Sequence, residues 1–238
     1  MLASAVALNS DANPKVKRGG FEQVGNKTEC ALLEMIYNYG HDYRDIRKSE
    51  QVLNTVPFSS DRKRMSTICR LNKNGKYYIV SKGAPEILVN YCSKFLDKNN
   101  EVSAINERYK AELEETITKF ASQSLRTILL CYQELPNKEI ASTPDPEKLE
   151  KDLIILGLAG IKDPLKDSVP EAVLNCKKAG IIVRMVTGDN TETATAIAKD
   201  AHIISSDYVR PQKGEPGYYI VMEGREFRTL VEGLVKKN

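Results

Sequence analysis

The chain has 238 residues, 41% of them apolar and 28% charged, a balance that argues against disorder and allows one large or two modest domains. A net charge of only +3, with lysines and arginines spread among acids and no basic tract interleaved with aromatics, argues against a nucleic-acid partner. Five widely separated cysteines and two distant histidines, His41 and His202, argue for free thiols in a reducing compartment and against a zinc centre or a histidine-based triad.

Met1 to Leu8 reads as the end of a helix: it is too short to span a bilayer and lacks the basic start and cleavage site of a signal peptide. Gly25-Asn26-Lys27-Thr28-Glu29-Cys30 is a loop opening a helix, with Thr28 as the expected cap. In Pro57-Phe58-Ser59-Ser60-Asp61-Arg62-Lys63-Arg64-Met65, Phe58 can stack on an adenine while Lys63 faces phosphate; a core phenylalanine followed by a solvated charge run is the alternative. Met65 to Leu71 and Lys76 to Val80 flank Asn72-Lys73-Asn74-Gly75, a strong hairpin signal. Lys82, in Ser81-Lys82-Gly83-Ala84-Pro85, stands at a strand end before a helix with proline in its first turn, where it adds charge to an anion-friendly site or faces water. Asn106 to Ser122 carries the apolar stripe Tyr109, Leu113, Ile117 and Phe120 of an amphipathic helix. Arg126 to Tyr132 is another strand, entered by an arginine that can grip phosphate or pair with an acid. Hairpin strands mixed with helices predict an antiparallel α+β module, closed by a polar loop from Pro136 to Glu150.

The next stretch reads differently. Leu153 to Ile161 is an apolar strand, Pro170 to Lys178 a helix stopped at Gly180, and Ile181 to Val186 a β-branched run suited to a strand buried on both faces. Thr187-Gly188-Asp189-Asn190 then opens a helix through Ala201. Together these predict a right-handed parallel unit, with Thr187 to Asn190 beyond a strand's carboxyl end, where ligands of open parallel sheets bind. A plain βα turn with a cap is the alternative for those four residues. The polar loop Ser205 to Gly217 suggests no function.

The ordered set of strings is more specific than any one of them. Val183 to Asn190, preceded by Asp163-Pro164 and Ala179-Gly180-Ile181, resembles the phosphorylation domain of P-type ATPases. Val24 to Leu33, Met65-Ser66-Thr67, Lys82-Gly83-Ala84 and Pro170-Glu171-Ala172 are similar to the plasma-membrane-type calcium-transporting members, and the resemblance runs from Ala3 to Phe227. It implies an α/β chain: an antiparallel α+β nucleotide-binding domain over 1–161, then a partial haloacid-dehalogenase-like parallel α/β phosphorylation domain over 162–238. It assigns Phe58 to adenine stacking, Glu29 to the base's amino edge, and Lys63, Met65, Lys82 and Gly83 to the nucleotide pocket. Arg126 would reach the phosphates, and Phe58, Lys63, Lys82 and Arg126 would share one cleft. Asp163 and Lys166 match the hinge segment, with lysine where many relatives carry arginine; Thr187, Gly188 and Asp189 match the loop at the transferred phosphoryl group.

The strings Asp-Lys-Thr-Gly-Thr and Thr-Gly-Asp-Gly-Val-Asn-Asp, which supply the acceptor aspartate and the magnesium-binding acids in that family, do not occur here. The resemblance therefore implies a monomeric cytoplasmic portion of a membrane pump. It would bind ATP, with Mg2+ held largely by residues beyond this chain, and would not turn over alone. The implied partners are the actuator, the rest of the phosphorylation domain, the membrane helices, and calmodulin through a tail lying elsewhere. Competing readings are a stand-alone nucleotide-binding regulatory module, a capped soluble phosphatase lacking an evident acceptor aspartate, and a pump for another cation.

Overall fold

The computed structural model describes residues 1–17, 20–143, 145–162 and 165–235. They fall into two compact units, Met1–Ile117 with Thr127–Ile161, and Thr118–Arg126 with Lys162–Asn238. The elements in chain order are α1 (Leu2–Leu8), β1 (Lys15–Lys17), β2 (Gly20–Glu22), α2 (Lys27–Asn38), α3 (Tyr43–Ser49), β3 (Gln51–Val56), β4 (Arg64–Leu71) and β5 (Lys76–Gly83). These are followed by α4 (Pro85–Leu88), β6 (Cys92–Leu96), β7 (Val102–Ala104), α5 (Glu107–Ser122), β8 (Leu125–Leu135), α6 (Lys138–Ala141) and β9 (Leu153–Lys162). Helices α7 (Ser168–Lys178), α8 (Thr191–Asp200) and α9 (Gly224–Val235) complete the set.

The first unit is organised by a seven-stranded sheet in the order β3-β4-β5-β8-β9-β6-β7. The pairings β3–β4, β4–β5, β5–β8 and β6–β7 are antiparallel, whereas β6 and β9 run parallel. The central hairpin follows from sequence: Gly75 adopts φ of 71°, and its N–H returns to the Leu71 carbonyl at 2.8 Å. That backbone angle suits glycine because it carries no Cβ to clash.

Side-chain alternation then divides the core. Ile68, Ile79, Leu129 and Cys131 point to one face and pack with Leu88, Leu113, Ala141, Leu153 and Ile155. Cys69, Leu71, Tyr78 and Val80 point to the other and pack with Ala5 and Leu8 of α1. On that side Val6, Ala7, Leu32, Leu33 and Ile36 form a further cluster with Leu130. A strand covered on both faces is buried at successive positions, as β4 is from Arg64 to Cys69 and β5 from Tyr78 to Gly83. Each such side chain contributes about 1.5–3 kcal/mol when fully buried. Helix α1 is thus an integral part of the core, and Cys30, Cys69 and Cys131 are buried free thiols.

The structure departs from the sequence reading at several places. Strand β9 lies between β8 and β6 in the seven-stranded sheet and does not begin a parallel unit with residues 181–186. Its Leu153 and Ile155 complete the same apolar cluster as Leu129, and that packing decides its partner. Ile181 to Val186 pairs with no strand among the described residues; Ile182 is 73% and Val186 97% exposed. A β-branched run becomes a buried strand only where neighbouring strands offer hydrogen bonds and cover. The parallel sheet expected over 162–238 is accordingly not formed by the described residues. Asn26, not Thr28, caps α2, accepting from the amides of Thr28 and Glu29 at 2.9 and 3.3 Å. The supposed loop 136–150 contains α6, capped by Asn137, and a 3-10 turn over Pro146–Leu149.

Candidate functional site

One end of the β4–β5 ladder gathers most of the residues singled out in the first unit. The register places Arg64 opposite Gly83, Met65 opposite Lys82 and Ser66 opposite Ser81. Here the segment joining β3 to β4 folds back onto the end of β5: the Ala84 amide donates to the Lys63 carbonyl at 3.0 Å, and Lys63 holds φ of 52°. A Cβ on Gly83 would stand 2.6 Å from that carbonyl oxygen and 2.7 Å from the Arg64 Cβ, so this position has no room for a side chain.

Lys82 points inward. Its ammonium donates to Glu29 Oε1 at 2.6 Å and to the Asn9 carbonyl, and the residue is 8% exposed. The second oxygen of Glu29 accepts from Ser10 Oγ at 3.2 Å and from the Asp11 and Ala12 amides at 2.9 Å each. Asn9 ties the arrangement to β4, donating to the Met65 carbonyl at 3.1 Å and accepting from Thr67 Oγ1 at 3.0 Å. Burial raises the Glu29 carboxyl, but the Lys82 charge and the hydrogen bonds from Lys82, Ala12 and Asp11 outweigh it and leave the group below its usual value. Burial lowers the Lys82 ammonium against the pull of Glu29. The donors converging on Glu29 favour its ionised carboxylate.

Phe58 and Lys63 lie on the segment between β3 and β4. The Phe58 ring is 61% exposed. Lys63 has a half-exposed side chain 3.9 Å from Glu86. Met65 is buried. The structure therefore brings Glu29, Lys63, Met65, Lys82 and Gly83 to one end of the hairpin, with Phe58 presented on the adjoining loop. Arg62 and Arg64 do not form the solvated charge run of the alternative reading: both reach the buried carboxylate of Glu150. Nothing in the sequence around Glu150 or Asn9 marks them, because their significance depends on partners 84 and 58 residues away for Ser66 and Thr67 respectively.

Arg126 falls in the second unit. Its Nε and Nη2 donate to Asp189 Oδ1 at 3.1 and 2.8 Å. Thr187 Oγ1 donates to Asp189 Oδ2 at 2.9 Å and accepts from the Asp189 amide at 3.1 Å. Asn190 caps α8 through the Thr193 amide at 2.8 Å. Thr187 and Gly188 are exposed, so the turn offers a hydroxyl and backbone to solvent at a helix start. Lys166 lines an open cavity of about 380 Å³ with Lys162, Asp167, Ser124 and Asp200. Asp163 lies outside the described residues. Among the described residues, no group of three or more His, Cys, Asp or Glu side chains is placed to hold a metal.

The first unit is thus a mixed α/β domain on a seven-stranded, mostly antiparallel sheet, with a charged cluster at its β4–β5 end. The chain belongs to the P-type ATPases, matching the family's cytoplasmic domain N over residues 1–168. It is similar to the calcium-transporting ATPase PAT1 of Dictyostelium discoideum, 42% identical over 231 residues, 97% of this chain and 19% of that protein. It also resembles two human proteins, plasma membrane calcium-transporting ATPase 1 (39% identity, 94% of this chain, 18% of that protein) and ATPase 4 (35% identity, 97% of this chain, 18% of that protein). The chain thus spans about a fifth of the length of the curated relatives it matches. No helix among the described residues is long and apolar enough to cross a membrane.

Proposed function

We propose that the first unit binds ATP at the β4–β5 end and presents its γ-phosphate to an acceptor aspartate elsewhere in a calcium-transporting P-type ATPase. The observation that carries this reading is Phe58: a large aromatic residue 61% exposed, on a loop whose base is fixed against Gly83, the chain neighbour of the buried Lys82. An exposed ring gains about 1–3 kcal/mol when a base stacks on it. Lys63 supplies a cation on the same loop, worth less because water and salt screen it. Glu29 and Lys82 spend their charges on one another, so their part is to shape the floor of the site.

In the second unit, residues 162–238 are proposed as part of the phosphorylation domain. The exposed apolar run Ile181 to Val186 leading into Thr187-Gly188-Asp189 supports this, as a segment ready to pair with strands supplied by the parent protein. There Thr187 and Gly188 would contact the phosphoryl group, while Asp189 holds Arg126 beside them. Mg2+ would be held largely by other parts of the parent protein. Catalysis in the parent would rest on positioning and charge neutralisation during in-line transfer, at the cytoplasmic face of its membrane.

A total of about 4–6 kcal/mol corresponds to a dissociation constant on the order of 0.1–1 mM for the isolated chain. Titration with ATP by NMR or calorimetry tests the reading: binding in that range, weakened by Phe58→Ala, supports it, and equal affinity with and without the ring refutes it.

A further inference from the structure

Glu150 precedes β9 and has a side chain with 0% exposure, yet it belongs to none of the residues assigned to the nucleotide above. Its Oε1 accepts from the Arg62 guanidinium and from Ser66 Oγ, the latter at 2.6 Å; its Oε2 accepts from Arg64 Nε at 2.6 Å. Ser66 Oγ lies 2.8 Å from Ser81 Oγ, which extends the cluster across the β4–β5 pair. Arg64 is further seated 4.2 Å over the Tyr91 ring. Arg62 reaches back to the Pro57 carbonyl at 3.4 Å and stands 3.5 Å from Glu147, while its amide donates to Ser59 Oγ at 3.2 Å.

These contacts bracket the two residues that matter. Lys63 sits between the arginines that Glu150 holds, and its own amide closes onto the Ser59 carbonyl at 2.8 Å. Phe58 sits between Pro57 and Ser59, both of which Arg62 touches, and its ring is left outside. A buried carboxylate is a poor way to gain stability, because desolvation consumes most of the Coulomb energy and well-packed apolar groups often do as well. Its distinctive contribution is directional: two guanidinium groups and a hydroxyl are fixed in one geometry. Ordering a loop before its ligand arrives spares that ordering cost on binding.

We propose that Glu150 is a positioning residue for the nucleotide: by clamping Arg62 and Arg64 it presets residues 57–63 so that Phe58 and Lys63 meet an adenine nucleotide already arranged. This rests on the ATP-binding reading above.

The chain contains no tryptophan, so Phe58→Trp places a single tryptophan on the loop, read by excitation selective for indole. ATP affinity is measured on the 238-residue chain, well below every melting midpoint, for the parent, Phe58→Ala, Glu150→Gln and Arg62→Ala. Tryptophan anisotropy is compared in Phe58→Trp with and without Glu150→Gln. The expected result is a fully folded Glu150→Gln chain with lower anisotropy, and ATP affinity weakened about five- to tenfold in both Glu150→Gln and Arg62→Ala. A purely structural role lowers the melting midpoint and leaves the affinity of the folded chain unchanged, which overturns the proposal. Should Glu150→Gln fail to fold, Arg62→Ala decides on the same criterion. Absence of ATP binding in the parent chain overturns the nucleotide site and this role with it. Binding that Phe58→Ala weakens while Glu150→Gln and Arg62→Ala do not overturns this role alone.

Discussion

The Lys82 ammonium lies 2.6 Å from Glu29 Oε1, joining β5 to a residue of α2 that lies 53 positions earlier in sequence. The contact turns a lysine that sequence placed at the mouth of an anion site into an internal fastening between α1, α2 and the central hairpin. Asn9 and Ser10, just past α1, complete it. The consequence is that charge and stability at this end of the sheet are inseparable.

Lys82→Met is expected to destabilise the chain by about 3–5 kcal/mol, because it leaves Glu29 buried without its counter-charge. The double variant Lys82→Met with Glu29→Leu should recover much of that loss, since no uncompensated charge then remains. Urea unfolding followed by circular dichroism measures both. A Lys82→Met chain as stable as the parent would show that the pair is not the fastening described.

Acid should weaken the fold through Glu29 and Glu150. Burial raises the Glu150 carboxyl, but hydrogen bonds from Arg62, Ser66 and Arg64 leave it below its usual value, as Lys82 and two amides do for Glu29. The folded state therefore binds fewer protons than the unfolded one. The contribution is complete above the unfolded carboxylate value of about 4.3 and is lost as pH falls through the depressed folded values. Melting midpoints across the acid range should fall steeply for the parent and less steeply for Glu29→Gln.

Phe58→Ala separates binding from folding. The ring is exposed, so its loss should change stability by no more than about 0.5 kcal/mol. Loss of a stacking contact of about 1–3 kcal/mol should weaken ATP by roughly five- to 150-fold. Calorimetric titration and thermal melts on the same preparation check the two halves.

Gly83→Ala should cost about 1–3 kcal/mol, as overpacking against fixed backbone does. The new methyl would meet the Lys63 carbonyl oxygen at 2.6 Å. Relief requires moving the loop that carries Phe58 and Lys63, so ATP affinity should drop together with the melting midpoint. An unaltered midpoint would mean the loop yields freely.

Asp189→Asn should scarcely alter stability, since Arg126 has a half-exposed side chain and such pairs are worth about 0–1 kcal/mol. On the role proposed for residues 162–238, Arg126 loses the carboxylate that aims it, and phosphorylation by ATP in a full-length pump carrying the variant should slow while the melting midpoint stays within a degree or so of the original.

Local chemistry was well recorded in the sequence. Asn74-Gly75 announced the β4–β5 turn because the backbone there demands glycine, and the stripe Tyr109, Leu113 and Ile117 announced α5 because helical spacing puts those residues on one side. The strings around Glu29, Phe58 and Lys82 pointed to the family, and the match over residues 1–168 bears that out. Reading failed where the outcome depended on a distant neighbour. Leu153 to Ile161 and Ile181 to Val186 look alike as apolar runs, yet the first lies in the sheet beside β8 and β6, while the second pairs with no strand among the described residues and exposes Ile181, Ile182 and Val186. Periodicity reports that a segment can be buried and is silent about what covers it.

By itself, then, the order of residues determined the family, the hairpin and the helical stripes, the last two of which arise from contacts within a few positions. Only the folded chain decided that Lys82 is spent on Glu29, that Arg62 and Arg64 turn inward to Glu150, and that Phe58 remains outside. The reason is physical: the charge state and exposure of a side chain depend on groups brought near it through space, and those partners lie 53 to 88 residues away along the chain.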